Sequence, residues 1–399
     1  MSKIITDSNK IREVLGKGVE RIYPSKEALE KILKSGKRIR LYCGYDPTAP
    51  SLHIGHAITI RKLAQFQRLG HEVIFLIGDF TGMIGDPTDK AAVRKRLTRE
   101  QVQKNLKNYK KQASKILKFS GKNSAKVLFN SRWNDKLSFV ELIDLASNFT
   151  VQQMLVRDMF QERLGKKRPI YLHEFLYPLT QAYDSIAMNV DLEVGGNDQT
   201  FNMLCGRDLM KVLKEKEKFV LTTKLLTDPR GQKMGKTEGN VVNLNESPKE
   251  MFGKIMAWSD SLIFPGFELC TDLSLEQIDK IKKQKNNPRD DKARLAKEIV
   301  SIHHSKPAAI KAEREFNRIF KEKKAPSRIK TCKINLKSLN ILDLLIKTKL
   351  APSKSEAKRL VEQRAVELDN KVIADWRAKI FIKTGSILQV GRRRFIKLV

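Results

Sequence analysis

The chain has 399 residues, of which 41% are hydrophobic, so it can bury a packed core and is not wholly disordered. Its 78 basic and 45 acidic residues give a formal net charge of +33, which favours association with polyanions. No apolar run reaches the ~18 residues of a membrane span, and the amino-terminal residues lack the pattern of a secretion signal. The cysteines are far apart, which predicts neither a disulfide framework nor a zinc site, and we expect a cytoplasmic location.

The charge alone leaves three interpretations open. A nucleic acid partner, an anionic membrane surface and a generally lysine-rich source would each produce it. No strongly amphipathic helix with an aromatic apolar face stands out, so the membrane is the weakest of the three.

The first half of the chain alternates short apolar segments with helical patterns. Strands are predicted at residues 39–43, 72–77, 126–130 and 192–195, with helices at 54–70, 99–119, from about 138 and after 198. This alternation predicts an α/β domain with a parallel sheet covered by helices on both faces. Ligands in such domains bind where strand ends meet loops.

The second half changes character twice. Helices with charged faces run from about residue 245 to 320, and a basic, proline-containing stretch (FKEKKAPSRIK) follows. From residue 340 onward the pattern predicts a small module of helices and then a hairpin, whose charges count to +8. The chain therefore divides into several domains, as its length also indicates.

The first candidate site follows the first predicted strand, in the sequence CGYDPTAPSLHIGHAITIRKL. His53 and His56 are three residues apart at a helix start, where backbone N–H groups favour anions and each imidazole can donate to phosphate. Gly55 would let a ligand approach the backbone closely. Taken alone, the pair could equally bind a metal or lie on the surface. The whole string resembles the HIGH signature of class I aminoacyl-tRNA synthetases.

A second candidate site is the glycine-rich sequence LLTDPRGQKMGKTEGN. Lys233 and Lys236 flank Met234, and a mobile loop with two ammonium groups can close over a nucleotide and neutralise its phosphates. A lysine-rich surface turn is the alternative. With the HIGH string, it resembles the KMSKS loop of the same class, although Gly235 and Thr237 replace the serines.

The third candidate site is a polar stripe on a predicted helix. Tyr177, Gln181 and Asp184 are spaced to share one face, and GGNDQ follows the next strand. A helix that packs with a few satisfied polar groups is the alternative. The region resembles the tyrosine-binding segment of bacterial tyrosyl-tRNA synthetases. A buried carboxylate that expects a hydroxyl partner would select tyrosine over phenylalanine.

That resemblance implies residue roles for the substrates. Tyr42 and Asp184 would bind the phenolic hydroxyl of tyrosine; Tyr177, Gln181 and Asp86 the ammonium group; and Gln199 the carboxyl end. Gly44, Asp46, Gly195 and Asp198 would lie near the adenylate linkage or ribose, and Thr48 would join His53, His56, Lys233 and Lys236 in catalysis. In FTGMIGDPTDKAAVR, which resembles another family segment, Lys90 and Arg94 would reach the ATP phosphates. Asp89 stands where the family pattern often has glycine, and a solvated basic face is the alternative for Lys90 and Arg94.

The resemblance also implies the organisation of the chain. It predicts a Rossmann-like, doubly wound catalytic domain (1–240) with a dimer-interface insertion at about 130–170, and a helical anticodon-binding domain (241–325). A basic linker (326–339) would precede a small α+β RNA-binding domain (340–399), which resembles one first described in a ribosomal protein. Ser353, Ser355, Lys358 and Arg359 would begin and line its phosphate-facing helix.

The implied reaction joins L-tyrosine to tRNA-Tyr through a tyrosyl-adenylate. The expected partners are tRNA-Tyr, L-tyrosine, ATP carrying Mg²⁺ and a second copy of the chain, with no membrane and no protein-bound metal site. Three alternatives remain: a tryptophanyl enzyme, a smaller nucleotidyltransferase with an HxGH helix start, and a non-catalytic RNA-binding protein on the same scaffold.

Overall fold

The computed structural model describes residues 3–88, 96–227, 241–322, 326–327, 329–391 and 394–399. It separates the chain into two units, Met1–Lys306 and Pro307–Val399. Within these described ranges, no helix has the length and apolar character needed to cross a membrane.

The first unit is a mixed α/β structure. Its strands are β1 (Val19–Tyr23), β2 (Arg40–Tyr45), β3 (Glu72–Ile77), β4 (Lys126–Phe129), β5 (Leu192–Gly196) and β6 (Phe219–Thr223). Its helices are α1 (Ser8–Gly16), α2 (Lys26–Lys34), α3 (Ile54–Arg68), α4 (Thr81–Ile84), α5 (Arg99–Leu106), α6 (Tyr109–Ala113), α7 (Ser131–Asn134), α8 (Phe139–Ala146), α9 (Val151–Leu155), α10 (Asp158–Gly165), α11 (Leu172–Met188), α12 (Thr200–Lys214), α13 (Pro248–Met256), α14 (Ile263–Cys270), α15 (Leu275–Lys283) and α16 (Pro288–His303).

The six strands form one sheet in the order β1-β6-β5-β2-β3-β4. All neighbours are parallel except β1, which runs antiparallel to β6 at the edge. From β2 the chain builds outward to β3 and β4, and then returns to place β5 and β6 on the other side. The order therefore reverses between β2 and β5, and in parallel sheets ligands bind at the carboxyl ends of strands at such a point.

The four strands predicted from sequence correspond to β2, β3, β4 and β5, whereas β1 and β6 were not predicted. Strand β6 (FVLTT) carries two threonines and lacks a clear apolar run, although all five of its residues are buried. The predicted continuous helix 99–119 is wrong. It is interrupted after Leu106, and the second helix begins at Tyr109, a buried residue whose hydroxyl donates to the Ala49 carbonyl (2.7 Å).

Helix α3 forms the centre of the first unit. Most of its residues are buried, including Ile60, Leu63 and Phe66, and it packs against β2, β3 and β5. Because the helix begins at Ile54, directly after the loop that leaves β2, its start lies beside the carboxyl ends of the strands. Among the helices after residue 247, α13 and α14 pack against α16, and α14 also packs against α3.

The second unit contains α17 (Lys306–Phe320), α18 (Ile341–Lys347), α19 (Lys354–Glu362) and seven short strands. The strands are β7 (Lys330–Cys332), β8 (Ser338–Asn340), β9 (Val366–Leu368), β10 (Lys371–Val372), β11 (Lys379–Phe381), β12 (Ile387–Val390) and β13 (Arg394–Leu398). Five strands pair in the order β10-β9-β12-β13-β7, and β8 pairs with β11. Strand β7 lies within the stretch interpreted from sequence as a linker, and it pairs in parallel with β13.

Candidate functional site

The start of α3 holds two histidines in fixed orientations. His53 precedes the helix, and its Nδ1 accepts a hydrogen bond from the Gly55 N–H (3.1 Å). Nδ1 of His56 accepts from the His53 N–H (3.1 Å), and the two ring centroids are 3.8 Å apart. A neutral imidazole carries one proton, so both rings carry it on Nε2 when neutral. Both Nε2 atoms are then hydrogen-bond donors at a helix start, as phosphate binding requires.

Gly55 also has a structural role beside His53. A Cβ there would lie 2.9 Å from Cε1 and 3.0 Å from Nδ1 of His53, so the glycine makes room for the histidine ring. In the preceding loop, the N–H of the exposed Thr48 donates to the Asp46 carbonyl (2.8 Å). Gly44, near the end of β2, is also exposed.

Asp46 begins a chain of hydrogen bonds that crosses the ends of the strands. Its Oδ2 accepts from the Tyr177 hydroxyl (2.8 Å), and its Oδ1 accepts from the Thr81 hydroxyl (2.6 Å). The Thr81 hydroxyl accepts from Asn130 Nδ2 (3.0 Å), which also donates to Asp184 Oδ2 (3.2 Å). Tyr177 thus contacts Asp46, which the sequence had assigned to the nucleotide, and burial raises the pKa of Tyr177.

Asp184 is almost completely buried on α11 and accepts three hydrogen bonds. Trp133 Nε1 (2.7 Å) and Asn134 Nδ2 (3.1 Å) donate to Oδ1, and Asn130 donates to Oδ2. An ionised carboxylate has about four acceptor positions, so one remains on Oδ2. Burial raises the pKa of Asp184 to about 8, and the three donors oppose that rise.

Tyr42, the other predicted phenol ligand, is 1% exposed on β2. Its hydroxyl is hydrogen-bonded to Ser185 Oγ (3.0 Å), and not to Asp184. Burial is the main reason that the pKa of Tyr42 is raised, and the nearby carboxylates of Glu193 and Asp184 add to it. The two predicted phenol ligands are therefore neighbours with separate partners.

Asp86 and Gln199, both predicted to bind the amino acid, contact each other. Gln199 Nε2 donates to Asp86 Oδ2 (2.6 Å), and Thr88 donates to Asp86 Oδ1 through its N–H (3.0 Å) and its hydroxyl (2.5 Å). The guanidinium of the buried Arg157 lies 3.7 Å from the same carboxylate and donates to Thr88 Oγ1 (3.0 Å). Gln181 does not join this group and donates instead to Glu193 Oε1 (3.0 Å).

The remaining predicted nucleotide residues fall into two groups. Gly195 is in β5, and Asp198 lies in the 3₁₀ turn Asn197–Gln199 that follows it, at the strand end adjacent to β2. Lys90, Arg94, Lys233, Met234 and Lys236 lie outside the described residues. The segment that follows residue 240 pairs with the start of α3: Ile54 N–H donates to Val242 (2.9 Å), and Leu244 N–H donates to Leu52 (2.8 Å).

The predicted RNA-binding residues lie at the start and along α19. Ser353 caps this helix, and its Oγ accepts from the Glu356 N–H (3.3 Å), with Ser355 in the first turn. Lys358 lies over the Trp376 ring (4.7 Å) and 3.7 Å from Glu362, whereas Arg359 pairs with Glu356 (2.8 Å). Both cations are largely exposed.

Several residues that organise the site were missed by the sequence analysis. They are Gly78, Thr81, Asn130, Trp133, Arg157, Ser185, Glu193 and Lys218. The clearest available signal was Glu193, a carboxylate within the otherwise apolar strand β5. Across the described ranges, no group of three or more His, Cys, Asp or Glu side chains could hold a metal ion.

Comparisons with known proteins agree with this geometry. The family model for class I tRNA synthetases (W and Y) matches residues 34–321. Tyrosine--tRNA ligase 2 of Clostridium acetobutylicum is 43% identical over 395 residues, covering 97% of this chain and 98% of that relative. Tyrosine--tRNA ligase of Syntrophotalea carbinolica is 45% identical over 378 residues, covering 93% and 92%. The structure of a C-terminally truncated mitochondrial tyrosyl-tRNA synthetase from Aspergillus nidulans matches with a TM-score of 0.66 at 25% identity, covering 78% of this chain and 93% of that one.

Proposed function

The chain belongs to the class I tRNA synthetases of the tryptophan and tyrosine group, and we propose how its side chains carry out the reaction of a tyrosine--tRNA ligase. The enzyme activates L-tyrosine with ATP to tyrosyl-adenylate and pyrophosphate, and then transfers tyrosine to the 3'-terminal adenosine of tRNA-Tyr. The observation that carries this conclusion is the identity of 43–45% with tyrosine--tRNA ligases over nearly the whole chain.

The phenolic hydroxyl of tyrosine binds between Tyr42 and Asp184. The acceptor position that remains on Asp184 Oδ2 accepts a hydrogen bond from the phenolic hydroxyl. The nearby Tyr42 hydroxyl contacts the phenolic oxygen. Because Asp184 is buried, an amino acid without the hydroxyl would leave this acceptor of Asp184 without a hydrogen bond. An unpaired buried acceptor costs about 1–3 kcal/mol, and a charged one costs more. The surrounding donors hold the carboxylate in a fixed position, which supports selection of tyrosine.

The other end of the amino acid binds near Asp86. Asp86, Tyr177 and Gln181 hold the ammonium group, and Gln199, which contacts Asp86, orients the carboxylate. Arg157 and Thr88 keep Asp86 in place. Carboxylate oxygens accept hydrogen bonds, which suits Asp86 to an ammonium donor.

ATP binds along the carboxyl ends of β2 and β5. Gly44, Asp46, Gly55, Gly195 and Asp198 lie along this edge and contact the ribose or the adenylate linkage. The Nε2 donors of His53 and His56, together with Thr48, stabilise charge on the transferring phosphate. The phosphates are contacted by Lys233, Met234, Lys236, Lys90 and Arg94. The backbone pairing of Val242 and Leu244 with the start of α3 supports the assignments of Lys233 and Lys236, which precede them in the chain.

The chemistry needs positioning more than proton transfer. The tyrosine carboxylate is already a nucleophile, so it attacks the α-phosphorus of ATP without a general base, and pyrophosphate leaves. The tRNA 3'-terminal ribose hydroxyl then attacks the carbonyl of the adenylate and releases AMP. Mg²⁺ arrives on the phosphates of ATP, which hold it.

The architecture follows the same assignment. Residues 1–240 form a Rossmann-like, doubly wound catalytic domain, 241–325 a helical anticodon-binding domain, and 340–399 a small α+β RNA-binding domain after the segment 326–339. Ser353, Ser355, Lys358 and Arg359 contact tRNA phosphates from α19. The enzyme works in the cytoplasm, where tRNA is charged.

A homodimer forms through the insertion at about 130–170. The support is a set of exposed apolar side chains in and next to this segment, because exposed apolar patches mark interaction surfaces. They are Phe139, Val140, Ile143, Val151, Val156, Leu164, Tyr171 and Leu172. Two-fold symmetric association would cover the same patch on both copies.

ATP–pyrophosphate exchange tests the assignment. Exchange should depend on L-tyrosine and not on tryptophan or phenylalanine; dependence on tryptophan would favour the other enzyme of this group. Removing residues 340–399 should leave exchange largely intact and weaken tRNA charging. Equal loss of both activities would mean that the tail stabilises the fold and does not recruit RNA.

A further inference from the structure

A buried ion pair lies directly behind the side chains proposed to bind tyrosine. Lys218 Nζ contacts Glu193 Oε2, and the two side chains are 0% and 3% exposed. The ammonium also donates to Ser185 Oγ (2.8 Å) and to the Met203 carbonyl (3.2 Å). An ammonium has three hydrogens, so these three acceptors fix its orientation completely.

The pair determines the orientation of the Gln181 side chain. Glu193 Oε1 is 3.0 Å from Gln181 Nε2. A carboxylate can only accept, so Gln181 must present its NH₂ group to Glu193. Its carbonyl oxygen therefore points away from Glu193, which is the orientation needed to accept a hydrogen bond from an ammonium group.

The same pair also fixes the Tyr42 hydroxyl. Ser185 Oγ accepts from Lys218 and is 3.0 Å from the Tyr42 hydroxyl. The Lys218 ammonium lies 5.9 Å from the centre of the Tyr42 ring. A Cβ added to Gly206 would lie 2.5 Å from Lys218 Nζ, so the local packing leaves the ammonium little room to move.

Fold stability alone is a poor explanation for this arrangement. Taking two charges out of water costs much of what their attraction returns, and apolar replacements of buried pairs are often as stable. Here Glu193 contacts Gln181 directly, and Lys218 is linked to the Tyr42 hydroxyl through Ser185. The pair therefore has a use at the site that an apolar replacement could not supply.

We propose that Glu193 and Lys218 are positioning residues for tyrosine recognition, which set the Gln181 amide to accept from the substrate ammonium and hold the Tyr42 hydroxyl in place. This inference rests on the proposed roles of Gln181 and Tyr42. Glu193 and Lys218 would determine how Gln181 and Tyr42 orient their hydrogen-bond donors and acceptors toward the substrate.

Glu193→Gln in the full-length enzyme is the direct test. Lys218 would donate to the amide oxygen introduced at position 193, so the NH₂ group of that amide would face Gln181. The Gln181 amide would then have to flip by 180° to present its oxygen to this NH₂ group. Gln181 would then present NH₂ to the substrate ammonium. We expect the KM for tyrosine in exchange to rise about tenfold or more, the effect of losing ~1.4 kcal/mol, with the KM for ATP changed less than about twofold.

A second variant makes the test specific. Adding Gln181→Glu to Glu193→Gln restores an acceptor on both sides of residue 181, so the KM for tyrosine should return to within about threefold of the original. The matched control is Glu174→Gln, which disrupts the buried pair of Glu174 with Arg163 (2.7 Å) away from Gln181. It should lower stability without a selective change in the KM for tyrosine.

The outcomes separate this inference from the proposed function. If Gln181→Ala leaves the KM for tyrosine unchanged, the proposed role of Gln181 is wrong. If Gln181→Ala raises it but Glu193→Gln does not, the positioning role is wrong. Equal changes in both KM values, with no recovery in the double variant, would also overturn it.

Discussion

Asp184→Asn is the change that tests the proposed phenol site most directly. The aspartate is buried, and burial raises the pKa of Asp184 from its ordinary 3.8 to about 8. At about 1.4 kcal/mol for each tenfold change in proton affinity, the ionised form costs the folded state about 6 kcal/mol. Asparagine has nearly the same shape and no charge, so it removes this cost.

The sign of the pH dependence follows from the direction of the change. A raised pKa means that the folded state holds the proton more tightly than the unfolded state does. The stabilising effect of the proton is complete below about pH 4 and is lost as the pH rises through about 8. Between about pH 5 and about pH 8.5, Asp184 should therefore lower the free energy of unfolding by about 4 kcal/mol, and asparagine should not.

Urea unfolding at these two pH values measures the effect, and Asp79→Asn provides a control. Asp79 is also buried, but it accepts from Ser131 and lies outside the proposed tyrosine site. The pH-dependent difference should appear for Asp184→Asn. At pH 8.5, where Asp184 is largely ionised, the same variant should lower kcat/KM for tyrosine by about 10- to 100-fold, since a hydrogen bond to a charged group contributes ~1.5–3 kcal/mol. Equal pH slopes in wild type and Asp184→Asn, or unchanged kcat/KM, would refute the reasoning.

Three further predictions concern the α3 start, the Asp46 chain and the dimer. Gly55→Ala places a Cβ 2.9 Å from His53 Cε1, so single-turnover adenylate formation should slow at least tenfold while tyrosine affinity, measured by equilibrium dialysis, stays unchanged. Gly78→Ala would put its Cβ on top of Asp46 Oδ1 and should cost ~1–3 kcal/mol in urea unfolding; a neutral result would mean that Asp46 can move freely. Val151→Glu, at a side chain 64% exposed, should shift sedimentation from dimer to monomer, and an unchanged profile would place the interface elsewhere.

The central sheet was predictable because its strands are short apolar runs bounded by loops. Strand β3 (EVIFLI) has the predicted bounds, residues 72–77. Strand β1 (VERIY) was missed, because two charged residues interrupt its apolar ones and none of its five residues is fully buried. The opposite edge strand, β4 (KVLF), was predicted because its last three residues form an uninterrupted apolar run.

The sequence proposed candidate site residues one by one, but it did not predict the contacts among them. Tyr177 and Asp46 are 131 residues apart and come together only because β2 and α11 meet at the strand ends. The hydrogen bond of Tyr42 with Ser185, and not with Asp184, likewise depends on the packing of α11 against the sheet. Residue type and spacing within one helix gave candidate ligands, whereas pairings between distant elements needed the fold.

The hydrogen-bonded chain from Asp46 through Thr81 and Asn130 to Asp184 also couples the proposed nucleotide residues to the proposed phenol site. Asn130 is the shared link, because its amide donates both to Thr81 and to Asp184. An attempt to widen the proposed phenol pocket for a bulkier amino acid by moving Asp184 outward would therefore also disturb Thr81 and Asp46, and a substitution of Asn130 would uncouple them.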